Sequence, residues 1–375
     1  MRHLAGVLAD CGYAAVVFSS EGAMRWLTGL KHQLGDIAPG AASPVQALVQ
    51  VSSTDSFKIT VVSKTFEMPR LKDEIPSVFK LFPGIEFNFS ETVPPLTAST
   101  ATADSKDYLA VMDRIVRPLP GGLEGSSFKK LEWLSGTAMQ ALGETAGQLR
   151  EGMNGLMVRG LLLDNLAARG VDANLVLIAL AGQELHLHPI ASAQYRVRPE
   201  KWMKLVVGAR YAEHIVSQSL MVKLGGSVSD READVYRALQ QAAVEYADLY
   251  RESVRESDIY AGMVERFKMI ENDTGLSGFA QSATLHHPGG GTSPLGNRDR
   301  MIDPAGTRRL ESWTQFAINP VDTLLGFKVE LQGIVRPDGV APLILDMSQL
   351  APALSFRKVT SSNGTTALLP DLMVI

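Results

Sequence analysis

The chain has 375 residues, of which 45% are hydrophobic and 20% are charged, as in ordinary globular proteins. The formal net charge is -4 and the basic residues are scattered, so we expect neither nucleic acid nor a membrane among its partners. The single cysteine, Cys11, allows no disulfide within the chain, and no secretory signal or membrane-spanning run is recognisable, so the expected location is cytoplasmic. The length predicts two domains.

The first part of the chain predicts an α/β unit. A short helix around Val7 and Leu8 is expected to end near Gly12. The apolar run at residues 14–18 is typical of a buried parallel strand. Further predicted segments are strands at 47–51 and 59–62 and a helix at 68–79.

Proline and glycine residues between 118 and 122 predict a linker at about 115–126. A helix is predicted over 128–149, and Asn154 is a candidate N-cap for a second helix that runs to Ala168 and stops before Gly170. The remaining predicted elements are strands at 175–180 and 205–207, a helix over 231–254, and strands at 316–319 and 327–335.

Histidine placement is the most informative chemical pattern. Of the seven histidines, five fall in three places, which are His186 with His188, His214, and His286 with His287. Histidine is the commonest metal ligand and a frequent general acid or base near neutral pH. Each histidine alone is more often an ordinary hydrogen-bonding residue, whereas for the group a shared site is an equally good interpretation.

Local sequence around these histidines leaves two interpretations open. The glycines that follow His286 and His287, at 289–291, permit close approach of a ligand, or they form a plain loop. Strand-like alternation would turn His186 and His188 to the same face before Pro189, or the segment is a solvent-facing edge strand. Glu213 and His214 are adjacent, so on a strand they would face opposite sides.

Several segments, in order along nearly the whole chain, resemble the Xaa-Pro aminopeptidase, prolidase and creatinase family. Residues 26–29 (WLTG) and 66–71 (FEMPRL) resemble elements of the N-terminal domain in that family. The C-terminal resemblance lies in residues 205–211 (LVVGARY), 285–290 (LHHPGG), 317–320 (AINP) and 326–330 (GFKVE).

The resemblance implies an α+β fold, with a smaller creatinase-like α/β N-terminal domain at 1–120 and a creatinase/aminopeptidase pita-bread C-terminal domain at 121–375. It also implies a homodimer in which the N-terminal domain of one subunit helps to cover the site of its partner. The implied substrate is a small amino-acid- or peptide-like molecule with a C–N bond to be cut.

The departures from the family concern its metal ligands, which are two Asp, one His and two Glu around two ions. The first Asp position holds Val206, the second falls at or near Ser217, and the first Glu position holds Asn319. Only Glu330 and an imidazole of His286 or His287 remain. Because divalent ions need charged oxygen donors, we expect no dinuclear metal site and no cofactor. A single weakly held ion, using Glu330, His286 or His287, and Glu213 or His214, is the poorer alternative.

The resemblance also suggests roles for particular residues. His188 matches the histidine that acts as acid and base in creatinase-like members, and His287 and Glu330 would then orient substrate or water. The further candidates for substrate binding are Trp26, His286, Arg298, Trp313 and Asn319. For Trp26 and Trp313, ordinary core packing is the alternative.

Three functions follow. The first is a metal-independent hydrolase or lyase that uses histidine acid/base catalysis on a C–N bond. The second is a catalytically inactive scaffold that binds a peptide or protein. The third, a metal-dependent Xaa-Pro aminopeptidase, is disfavoured because Val206 offers no lone pair to a metal.

Overall fold

A computed structural model describes residues 1–28, 45–63, 68–79, 84–116, 128–185, 188–212, 214–285, 289–293, 296–337, 343–349 and 351–375. The chain divides into two compact units, Met1–Leu119 with Ser293–Gly296 and Pro120–Thr292 with Asn297–Ile375. Most of the predicted linker at 115–126 lies outside the described residues.

The first unit is an α/β layer structure. Its elements are α1 Arg2–Asp10, β1 Ala15–Phe18, α2 Glu21–Thr28, β2 Gln46–Ser53, β3 Ser56–Val62, α3 Met68–Val78, β4 Ile85–Ser90, β5 Thr100–Ala101 and α4 Tyr108–Val116. The strand order is β4-β3-β2-β1-β5. The prediction that β1 is a parallel strand is only half right, because β1 is parallel to β5 but antiparallel to β2.

The second unit contains longer strands and helices. Its helices are α5 Phe128–Gln148, α6 Gly155–Ala167, α7 Asp230–Ala247, α8 Glu256–Thr274 and α9 Phe279–Leu285. Its strands are β6 Asp172–Ala179, β7 Trp202–Tyr211, β8 His214–Lys223, β9 Gly290–Ser293, β10 Gly296–Met301, β11 Gln315–Ile318, β12 Leu331–Ile334, β13 Leu343–Ile344, β14 Phe356–Thr360, β15 Thr366–Pro370 and β16 Met373–Val374.

Local sequence explains where the helices begin. The side chain of Asn154 accepts a hydrogen bond from the backbone N–H of Met157 at 2.9 Å, which confirms the predicted cap of α6. Ser229 and Glu232 form a reciprocal capping box at the start of α7. The predicted helix over 231–254 is too long, because α7 ends at Ala247 and Asp248 is its C-cap.

The sheet β16-β8-β7-β6 forms the centre of the second unit. Residues 203–209 of β7 alternate between two faces, and Leu205 and Val207 belong to an apolar core that includes Leu134 and Leu142 of α5. Each such fully buried aliphatic side chain stabilises the fold by roughly 1.5–3 kcal/mol. The other face of β7, carrying Lys204 and Val206, is therefore turned away from α5.

A second sheet of this unit has the strand order β10-β9-β11-β12-β13. Side-chain amides connect it to the central sheet, since Gln332 of β12 donates to the backbone oxygen of Ser217 at 2.6 Å. Gln315 of β11 donates to the backbone oxygen of Ile215 at 2.7 Å. These bonds fix β11 and β12 beside β8. No helix within the described residues is long and apolar enough to cross a membrane.

Candidate functional site

The α5-distal face of β7 and β8 carries the positions at which the sequence resemblance places metal-binding aspartates. Val206 pairs with Ser219 and Gly208 pairs with Ser217 across the two strands. Side chains two residues apart lie on one face of a strand, so Lys204 shares this face with Val206. Lys204, Val206 and Ser217 are each at most 2% exposed.

The connection between β11 and β12 brings together the two positions at which the sequence resemblance places metal-binding glutamates. Ile318 pairs with Leu331, so the adjacent Asn319 and Glu330 stand at the same end of the two strands. The segment between them turns back on itself, with an antiparallel bridge between Val321 and Lys328. Asn319 and Glu330 are both buried.

A glycine allows this turn to be made close to the loop that follows β6. Gly326 has a φ of +77°, and a Cβ at this position would overlap the backbone oxygen of Glu184. Asp322 closes the same turn, since its carboxylate accepts a hydrogen bond from the backbone N–H of Leu325 at 2.5 Å. The turn thereby fixes the direction of the segment before β12, which carries Lys328 and Glu330.

Four buried charged side chains, Lys204, Asp322, Lys328 and Glu330, form what we term the lysine–carboxylate cluster. The Lys328 Nζ lies 2.8 Å from Glu330 Oε1, and the two side chains are only 2% and 3% exposed. A charge removed from water in this way is tolerated because the opposite charge is in contact with it. The carboxylate of Glu330 is thus in contact with an ammonium group.

Lys204 has a strongly lowered pKa within the cluster. Burial, together with the positive charge of Lys328, lowers the pKa of Lys204 to about 8, although Asp322 acts in the opposite direction. Lysines with such lowered pKa values occur in functional sites, where burial and like charges are arranged together. The positive charge of Lys204, beside that of Lys328, therefore lowers the stability of the fold.

The charges of Lys328, Glu330 and Lys204 act on His188. The backbone oxygen of Pro189 accepts a hydrogen bond from Ile178 of β6 at 3.0 Å, which holds the segment against that strand. Partial burial and the charge of Lys328 lower the pKa of His188, Glu330 raises it, and Lys204 lowers it further. The structure thus brings together His188 and Glu330, two of the residues predicted for catalysis. The predicted strand at 186–188 is wrong for His188, which lies in an exposed bend.

Other predicted residues occupy different environments. Trp313 is buried in the apolar core of the second unit with its backbone at a φ of +64°. Trp26 belongs to the first unit and stacks on Phe18, with ring centroids 5.9 Å apart. The predicted residues that lie outside the described part of the chain are His186, Glu213, His286, His287 and the side chain of Arg298. His214 is buried at the start of β8.

Few side-chain atoms at the candidate site, within the described residues, could bind a metal ion. Val206 has no donor atom, Ser217 and Asn319 are uncharged, and the carboxylate of Glu330 contacts Lys328. No group of three or more His, Cys, Asp or Glu side chains within the described ranges is placed to hold a metal ion.

Sequence reasoning missed both lysines and Asp322. A signal was present, because Lys204 interrupts an apolar strand and Lys328 stands between Phe327 and Val329. A charged residue inside a continuous apolar run is an unusual feature of a strand buried on both faces. This pattern therefore indicates that Lys204 and Lys328 are candidate site residues.

Comparison with known proteins identifies the fold. No protein-family model and no curated protein matches the sequence. Among solved structures, the prolidase from Thermococcus sibiricus has a TM-score of 0.65 at 13% identity, with 100% of this chain and 98% of that chain covered. The chain has the prolidase fold. This similarity confirms the predicted pita-bread architecture.

Two further structures with the prolidase fold come from different classes of protein. The dipeptidase PepE from Mycobacterium ulcerans has a TM-score of 0.64 at 16% identity, covering 92% of this chain and 94% of that chain. The N-terminal domain of the FACT complex subunit SPT16 from Cicer arietinum has a TM-score of 0.60 at 11% identity, covering 93% and 96%. At such identities the prolidase fold is shown and the activity is not.

Proposed function

We propose that this protein is a metal-independent hydrolase or lyase that cleaves a C–N bond of a small amino-acid- or peptide-like substrate. The observation that carries the proposal is the placement of His188 beside a buried lysine–carboxylate cluster, on the face where the resemblance expects metal ions. Prolidases and dipeptidases with the same fold support a hydrolytic reaction on such a substrate. The homodimer implied by the resemblance remains a prediction.

The chemistry of the donors supports the absence of a metal requirement. A dinuclear site needs several anionic oxygens to offset the lost hydration of two divalent ions. The described residues offer one such oxygen donor at the four ligand positions, Glu330, and it is already neutralised by Lys328. The ammonium groups of Lys204 and Lys328 would also repel a cation. The described part of the site therefore does not fit the metal pair.

His188 is suited to moving a proton in this setting. Its lowered pKa keeps the imidazole neutral at pH 7, so that it can accept a proton from water or from the substrate. The proton is returned to the leaving nitrogen when the C–N bond breaks. Without a Lewis acid worth several kcal/mol, we expect an activated substrate or a modest rate.

The two buried lysines suggest what kind of substrate is bound. Amino-acid-derived molecules carry a carboxylate, and a buried ammonium binds a carboxylate more strongly than an exposed one does. Lys204 is the candidate for this contact, because burial and the charge of Lys328 lower its pKa, and a bound carboxylate would offset both effects. The substrate carboxylate would then compensate the positive charge of Lys204.

A second candidate function is a binding scaffold without catalysis. Two observations favour it: the remaining family carboxylate, Glu330, is held by Lys328, and a FACT complex subunit shares the fold. In that case the lysines would bind an acidic group of a peptide or protein, and His188 would have no chemical role.

A metabolite-depletion experiment distinguishes the two functions. EDTA-treated protein is incubated with a metabolite extract, and compounds that disappear are identified by mass spectrometry. We expect wild type and His3→Ala, a control histidine in α1, to consume the same compound. His188→Ala should consume it at least about 100-fold more slowly. If no variant consumes anything and all bind the same peptide or protein, the enzyme proposal is wrong.

A further inference from the structure

The lysine–carboxylate cluster contains an ion pair, Lys328 with Glu330, whose benefit to the stability of the fold is not evident. Lys328 and Glu330 are only two residues apart in the sequence, and their side chains contact each other at 2.8 Å. The pair therefore does not connect distant elements of the fold. Replacing a buried ion pair of this kind by apolar side chains is often neutral or stabilising, so its retention suggests a role in the site.

Another buried ion pair of the same unit shows the contrast. Lys223 contacts Glu232 at 3.1 Å, donates to the backbone oxygen of Ser227 and lies 4.5 Å from the ring of Trp202. Glu232 in turn caps α7. This pair connects β8 with the start of a helix, so its structural purpose is evident, and it serves as a matched control for Lys328 and Glu330.

The position of Lys328 beside Glu330 suggests what the ion pair does in the site. Glu330 is the one carboxylate at the four described positions where the sequence resemblance places metal ligands, and the ammonium contacts it as a bound cation would. We infer that the Lys328 ammonium is a built-in substitute for a divalent metal ion. It neutralises Glu330 and keeps positive charge in the site for an anionic or carbonyl oxygen of the substrate. This inference rests on the proposed function, because only a metal-independent site needs a resident cation.

Removing the ammonium of Lys328 tests whether it takes the place of a metal ion, and the test needs no measurement of activity. Lys328→Ala leaves Glu330 buried without its cation, and we expect the Tm in EDTA to fall by roughly 5–15 °C. Addition of Mn²⁺ to 1 mM above the EDTA concentration should raise this Tm by roughly 1–3 °C, because a single carboxylate that has lost its ammonium binds a divalent ion weakly. The Tm of wild type should not change with Mn²⁺.

Two controls isolate the role of Glu330. Lys223→Ala should also lower the Tm, but Mn²⁺ should not restore it, because that pair lies outside the metal positions. The double variant Lys328→Ala/Glu330→Gln lacks the carboxylate and should show no response to Mn²⁺. If Lys328→Ala does not fold in EDTA, refolding with and without Mn²⁺ gives the same comparison, and recovery only with Mn²⁺ supports the inference.

The inference is overturned if Mn²⁺ stabilises Lys328→Ala no more than it stabilises Lys223→Ala. It is also overturned if wild type gains as much stability from Mn²⁺ as Lys328→Ala does. Neither result depends on whether a substrate is consumed, so failure of the inference is separable from failure of the proposed function, which the His188→Ala comparison tests.

Discussion

Lys328 and Lys204 are both 2% exposed, yet their charges are compensated to different degrees. The ammonium of Lys328 contacts the carboxylate of Glu330 at 2.8 Å. The pKa of Lys204 falls to about 8, because burial and the charge of Lys328 outweigh the attraction of Asp322. One lysine thus completes a neutral pair, whereas the other is held at a cost in stability.

Lys204→Met is expected to stabilise the protein at pH 7 by about 1–3 kcal/mol, because it removes a buried charge that the fold compensates incompletely. The folded-state pKa of Lys204 is lower than its ordinary value, so the unfolded chain binds more protons between pH 8 and about 10.5. Stability of wild type should therefore rise over this range, and the advantage of the variant should disappear. Denaturant unfolding at pH 7 and pH 10 measures the effect, with the exposed Lys201→Met as control. Equal or lower stability of Lys204→Met at pH 7 would contradict it.

As the pH is lowered, the rate of substrate consumption should fall only at pH values below the usual pKa of histidine. Burial and the neighbouring lysines lower the pKa of His188, so the neutral, proton-accepting form persists to more acidic pH. A pH–rate profile of kcat/KM on the compound found by metabolite depletion measures this limb. Removing one nearby positive charge with Lys204→Met should move the limb to higher pH. An acid limb at or above about pH 7 in wild type would rule out the assigned role.

Gly326→Ala is expected to lower stability by at least about 3 kcal/mol, because the new Cβ would overlap the backbone oxygen of Glu184 and force the turn to move. Gly275→Ala is the matched control, since its φ of +67° is similarly left-handed but its surroundings are open. That control should lose only about 1 kcal/mol. Chemical denaturation of both variants measures the difference. Equal losses would show that the close approach of Gly326 to Glu184 is not tight.

Glu232→Gln should destabilise the protein at pH 7 by about 1–2 kcal/mol, since water screens part of the lost interaction. Burial alone would raise the pKa of Glu232, but hydrogen bonds from Ser229, Trp202 and Lys223 lower it to about 2. This contribution is present above pH 4.5 and is lost as the pH falls to 2, so wild type and variant should converge in acid. Thermal unfolding across this range tests the convergence. Asp234→Asn on the same helix, which removes an exposed ion pair with Arg237, should have little effect at any pH.

Much of the fold could be predicted because local signals and tertiary packing agree. The cap of α6 at Asn154 and the apolar run of β7 specify those elements by themselves. The end of α7 could not be predicted, because the helical pattern continues past Ala247. There the Asp248 side chain contacts Arg251 and the distant Thr365, contacts that exist only in the folded protein.

Only part of the candidate site could be proposed from the sequence. The resemblance singled out Val206 and Asn319, because neither side chain is a carboxylate. Lys204 and Lys328 could not be recognised, because a lysine on a strand is usually expected at the surface, and only the folded structure shows both of them buried. The pairing of Lys328 with Glu330 likewise depends on the turn at Gly326, which sequence alone does not orient.

Elemental analysis of the purified, active protein is the most direct test of metal independence. We expect well under one divalent ion per chain, substrate consumption that EDTA does not change, and no Xaa-Pro peptidase activity on addition of Mn²⁺ or Co²⁺. One or more tightly bound ions per chain, together with activity that EDTA abolishes, would contradict the account.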